Sequence, residues 1–106
     1  MTEDLQPLFA GVRDFGWDPK KRATNLRTHR IDFEDARGIL DGYTFIRRSD
    51  RNDEIRYQIF GYIDGREVAC ALRGAVCWLI SVRRAQRDER EKYYHRFKGL
   101  PQKGED

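Results

Sequence analysis

Lys21, Asn25 and His29 stand at i, i+4 and i+8 in a segment that opens with an Asp-Pro pair. On one helix they point the same way to within a drift of about 80°, so a cation, an amide and a titratable imidazole share a stripe. Imidazole is the side chain poised for a proton step near neutral pH. Guanidinium groups add the complementary property, because their planar fork matches a phosphate with two parallel hydrogen bonds. Arg56 sits within an apolar strand-like run and Arg83 at the exit of another, with Arg47, Arg48, Arg51, Arg66 and Arg73 at the expected strand ends and turns. The same residues also suit plainer roles. Asn25 and His29 can satisfy backbone groups at the end of a short helix, Lys21 and the turn arginines can be solvated, and a charged strand can guard a sheet edge. Trp17 and Trp78 can stack on nucleobases or fill a small core. Tyr93, Tyr94 and His95 lie among basic residues, which describes a nucleic-acid contact and a salt-bridged surface helix equally well.

These groups need a frame, and the chain encodes one. Asp18 before Pro19 is a helix start, since Asp caps an orphan amide and Pro at the first helical position loses nothing; the helix is expected from Pro19 to about His29. Asp32 with Asp35 approximates a second start, and Phe33, Ala36, Ile39, Leu40 and Tyr43 recur at helical spacing up to Gly42. Runs rich in β-branched and aromatic residues then predict strands at Tyr43–Arg47, Ile55–Ile63, Glu67–Leu72 and Val76–Val82. Asp64-Gly65 is a two-residue hairpin signal and Arg73-Gly74 a second candidate turn. With both turns tight, Phe60, Ala69 and Trp78 lie side by side and Ile59, Cys70 and Cys77 occupy the other face. The segment after Arg83 is dense in helix formers, with Arg87/Glu91 and Asp88/Lys92 at i,i+4. Asp14–Trp17 is a candidate short fifth strand. The expected fold is α+β: a two-layer sandwich of an antiparallel four-stranded sheet, two N-terminal helices and one C-terminal helix.

At 106 residues the chain is expected to be one domain, with 1–14 as an extension that forms either a short helix at Leu5–Val12 or a loose arm, and 98–106 as a mobile tail. A 39% hydrophobic fraction supports a folded core, while 37% charged residues imply a heavily ionised surface. The net charge of +3 is small, so any polyanion must be met by local clustering of basic groups. Cys70 and Cys77 lie in apolar runs and read as buried thiols, and no zinc spacing occurs, so no metal and no cofactor is expected. No run approaches the roughly 20 apolar residues of a membrane span, and the opening residues lack a leader pattern, so the expected location is the cytoplasm.

At Trp17-Asp18-Pro19-Lys20-Lys21, Asn25-Leu26-Arg27-Thr28-His29 and Phe33-Glu34-Asp35-Ala36 the chain resembles the BrnT toxins of bacterial type II toxin–antitoxin systems, whose opening pattern is W-D-x-x-K, N-x-x-K-H and F-E-x-A. Trp78-Leu79-Ile80-Ser81-Val82-Arg83-Arg84-Ala85, followed by Glu89 and Tyr93, is similar to the family's closing pattern, and Glu54-Ile55-Arg56 with Gly61 fits its middle strand. Thr28 stands where that pattern has Lys, and Trp78 where it has Arg. The resemblance implies a RelE-like fold, a ribonuclease that inhibits translation, and neutralisation by a BrnA-type antitoxin with a ribbon-helix-helix domain, through which alone DNA would be reached. It also implies site residues: His29, Lys21, Arg56 and Arg83 for catalysis, and Trp17, Asn25, Arg27, Trp78 and Arg84 as candidate RNA contacts, with Glu54 a further structural or site residue. Metal-free RNA cleavage needs removal of the 2′-hydroxyl proton, cations around a phosphorane dianion and a proton for the departing 5′-oxygen, and the reading gives the proton steps to His29 or Lys21 and the charge to Arg56 and Arg83.

Overall fold

The computed structural model describes residues 5–12, 14–74 and 77–97, so the expected tail at 98–106 lies outside the described residues. The N-terminal segment contributes a 3-10 helix, Gln6–Phe9, and Phe9 is buried edge-on against Tyr57. The candidate fifth strand is present as β1 (Gly16–Trp17). Helix α1 spans Pro19–His29, as the Asp-Pro start predicts: the Asp18 carboxylate accepts from the Lys20 amide at 2.9 Å. It ends at Arg30, which takes a left-handed conformation and donates its amide to the Leu26 carbonyl. The second expected helix is instead two short 3-10 helices, Phe33–Ala36 and Ile39–Asp41. Phe33, Ala36 and Ile39 recur every three residues, which aligns them on one face of a three-residue turn, and all three are buried.

The sheet has five strands in the order β1-β5-β4-β3-β2, with β2 Phe45–Arg48, β3 Arg56–Ile63, β4 Arg66–Arg73 and β5 Trp78–Arg84. Only β1 runs parallel to its neighbour. Asp64 and Gly65 both have positive φ, 51° and 75°, the conformation of a tight hairpin turn that Asp-Gly adopts readily, and Ile63 pairs with Arg66 as expected. The β4–β5 register differs from expectation. Arg73 pairs with Trp78, so residues 74–77 separate the strands in place of a two-residue turn, and Arg83, not Trp78, lies opposite Ala69. Val82 takes the place beside Cys70 that was expected for Cys77. A bulge also interrupts β5: Leu72 pairs with Leu79 and Ala71 with Ser81, which leaves Ile80 as the extra residue.

Apolar residues pack on all of one face and on one end of the other, so the arrangement is not the two-layer sandwich expected. Phe9, Phe15, Phe33, Ala36 and Ile39 pack on one face over Ile46, Ile59, Cys70, Leu72, Leu79 and Val82. On the other face the apolar end of the sheet, Phe45, Phe60 and Tyr62, packs against Tyr93, Tyr94 and Phe97 from α2 (Arg87–Tyr93) and the 3-10 turn after it, Tyr94–Phe97. Phe60 and Tyr93 are 4.3 Å apart between ring centroids. Both cysteines are free and buried. No helix of the described residues is long and apolar enough to cross a membrane.

Two polar side chains lock these parts together. Asn25, 5% exposed, donates to the carbonyls of Val82 (2.8 Å) and Ile31 (2.9 Å) and accepts the Val82 amide (3.0 Å). Its amide thus serves the outer edge of β5 as a neighbouring strand would, continuing where β1 stops at Leu79. Glu89, 8% exposed, caps α2 by accepting the Gln86 amide at 2.8 Å and takes both terminal nitrogens of Arg83 at 2.7 and 2.8 Å. The Arg83 hydrogen bonds hold the Glu89 carboxyl below its usual range, against the opposing effect of burial.

Asn25→Ala strands the Val82 amide and carbonyl, and chemical denaturation is expected to show a loss of about 2–4 kcal/mol. Glu89 has a depressed folded pKa, so its stabilisation is complete above the ordinary value of 4.5 and disappears as pH falls through the lower folded value. Glu89→Gln should therefore cost about 1–3 kcal/mol at pH 7 and flatten the acid side of the stability curve, read from denaturation midpoints between pH 3 and 7.

Candidate functional site

The half of the second sheet face that α2 leaves bare is a cleft of about 320 Å³ lined by Lys21, Arg51, Arg56, Arg73 and Arg83, with Ser49, Gln58, Ala71, Ile80 and Ser81 among the rest. Its shape follows from three cross-strand rows. Arg47, Gln58, Ala71 and Ser81 form the central one, and its small residues Ala71 and Ser81 make the floor. Arg56, Arg73 and Trp78 form the row on one side; Phe45, Phe60, Ala69 and Arg83 form the row on the other. Trp78 and Arg83 are five residues apart and would face opposite ways on a regular strand, and the bulge at Ile80 turns them to the same side.

Carboxylates behind the cleft fix its guanidinium groups. Glu54, carried on the tight turn at Asn52 and Asp53, which both have positive φ, binds Nε of Arg56 at 2.8 Å with one oxygen and Nε of Arg73 at 2.7 Å with the other. Both pairs use Nε, which leaves the terminal nitrogens of Arg56 and Arg73 for a ligand. Arg83 spends its end-on fork on Glu89 and a further bond on the Arg84 carbonyl, so its side edge of Nε and Nη2 is what remains. Arg47 marks the border with the aromatic half, donating to Gln58 Oε1 at 2.6 Å and to the Tyr93 hydroxyl at 2.7 Å. Lys21 reaches the cleft from the first turn of α1 and makes no ion pair within the described residues. No carboxylate is among the lining residues, and among the described residues no cluster of three or more His, Cys, Asp or Glu side chains is placed to hold a metal ion.

The structure brings Lys21, Arg56 and Arg83 together and does not bring His29 to them. His29 lies at the far end of α1, about 12 Å along its axis from Lys21, exposed and beside Arg30, which lines a separate depression with Arg66 and Arg84. Arg27 is exposed on α1 and touches Thr24 Oγ1 at 3.5 Å. Asn25 is engaged on all sides with backbone. Trp17 packs edge-on against Phe33 on the opposite face, with the Arg37 guanidinium 4.6 Å from its ring centroid. Trp78 stays 39% exposed beside Arg73. Arg51 and Arg73, which the sequence places at strand ends and turns and which are not among the candidate site residues above, also line the cleft. A signal for Arg73 was present: a tight Asp64-Gly65 turn pairs Ile63 with Arg66 and, seven residues down each strand, Arg56 with Arg73.

Comparison with known proteins identifies the family. The family model described as the ribonuclease toxin BrnT of type II toxin–antitoxin systems matches residues 17–89. Among solved structures, the chain is similar to the Brucella abortus ribonuclease toxin BrnT, with 26% identity and a TM-score of 0.51 over 69% of this chain and 96% of that one. The curated proteins give no match. With the family match running from the β1 tryptophan to the glutamate that clamps Arg83, the chain belongs to the BrnT family of ribonuclease toxins of type II toxin–antitoxin systems.

Proposed function

We propose that this chain is a cytoplasmic, metal-independent endoribonuclease of RelE-like type that inhibits translation until a BrnA-type antitoxin with a ribbon-helix-helix domain neutralises it. The observation that carries the reading is the cleft: cations on every side, small residues on the floor and no lining carboxylate, a site for one phosphate group of an RNA strand. Family membership supplies the class of reaction. In this reading the 2′-oxygen attacks the adjacent phosphorus and the 5′-oxygen departs, leaving a cyclic phosphate and a free 5′-hydroxyl. Arg56, Arg73 and Arg83 hold the phosphorane oxygens, a charge-stabilising role that needs fixed donors in a site where little water intervenes. Lys21 gives its proton to the leaving oxygen, and the 2′-hydroxyl proton passes to water. His29, Arg27 and Arg84 are assigned to the RNA strand beyond the scissile bond, and Trp17 and Asn25 to the frame.

A synthetic RNA cleavage assay in EDTA tests this. Arg56→Ala is expected to lower the rate by about 10²–10³-fold and Lys21→Ala by at least ~10-fold, while His29→Ala stays within a few-fold of wild type. Unchanged rates for both Arg56→Ala and Arg83→Ala would overturn the reading. RNA affinity should fall steeply with salt, as phosphate contacts require, and Arg73→Ala should reduce the slope of log affinity against log salt by roughly one. Induced expression should stop growth with cuts visible by primer extension, whereas arrest without cuts would favour a binding-only relative.

A further inference from the structure

Trp78 is a large apolar side chain left 39% exposed at the end of a row whose other members, Arg56 and Arg73, are fixed by one carboxylate. Its ring packs against β1. A Cβ built on Gly16 would come within 2.8 Å of two ring carbons, Cε3 and Cζ3, so the indole is seated on the bare backbone of β1. The backbones of Trp78 and Arg73 are one strand spacing apart, about 4.8 Å, and their side chains leave the sheet on the same face. An aromatic surface packed on β1 beside two anion donors matches the two ends of a nucleotide, its base and its phosphate.

From this juxtaposition we infer that Trp78 is a specificity-determining residue: it stacks the base of the nucleotide whose phosphate lies on Arg56 and Arg73, and it favours purines there. The inference rests on the nuclease reading above and adds the base subsite. Stacking on an aromatic ring accepts any base, and preference follows stacking area, which is larger for a purine. Gly16 then acts as a positioning residue, keeping the ring in place.

The test uses 2′-O-methyl oligoribonucleotide tetramers, which cannot be cleaved, and an abasic tetramer of equal charge, with binding read by tryptophan fluorescence and by competition. Purine tetramers are expected to quench the fluorescence and to bind about ten-fold or more tightly than the abasic one. Trp78→Leu, which retains Trp17, should abolish that quenching and that advantage while leaving the abasic affinity unchanged. Gly16→Ala, checked for folding by thermal melting, should weaken base-dependent binding and spare the abasic tetramer. Equal affinity for purine and abasic tetramers, or quenching that survives Trp78→Leu, overturns the inference. If binding is then still salt-dependent and lost in Arg56→Ala, the phosphate cleft stands without a base subsite; if no tetramer binds even at low salt, the nuclease reading fails as well.

Discussion

Like charges must be held close together for this site to exist, and two carboxylates make that tolerable. Lys21, Arg51, Arg56, Arg73 and Arg83 around one small cleft repel one another, and each would otherwise swing into solvent. Glu54 and Glu89 sit behind three of them and hold each guanidinium by bonds that leave other N–H groups facing out. An anion arriving in the cleft therefore meets donors whose side-chain freedom is already spent, and less ordering cost remains for binding. The arrangement also has a structural side: Glu89 starts α2 and grips Arg83, so the helix that covers the aromatic half of the sheet and the charge of the open half depend on one group.

Much of this frame can be read from local signals. Asp18-Pro19 and Asp64-Gly65 each carry their own stereochemical reason for a helix start and a tight turn, and both elements form where those reasons put them. The segment from Phe33 to Gly42 is harder, because buried residues three apart fit an α-helix and a 3-10 turn alike, and packing on the sheet decides between them. The β4–β5 connection and the bulge at Ile80 leave no local mark: both depend on how the two strands settle against the core, and together they move Arg83 to a row that simple alternation denies it.

The site shows the same division. A helical stripe does align Lys21, Asn25 and His29, but eight residues of helix exceed the width of a one-phosphate cleft. Asn25 in the middle is consumed in fixing α1 to β5, which places Lys21 at the cleft and His29 beyond it. Arg73 stands at a candidate turn in the sequence, yet the hairpin register alone sets it against Arg56. Angular alignment on a helix and proximity in space are separate conditions, and only the strand pairing satisfies both.

The Asn25 amide has one more consequence, for how another chain can join the sheet. A border strand with free peptide groups invites strand addition from a partner. On the β5 side, β1 takes residues 78 and 79 and Asn25 takes both peptide groups of Val82, so an incoming strand would find that border already occupied at those residues.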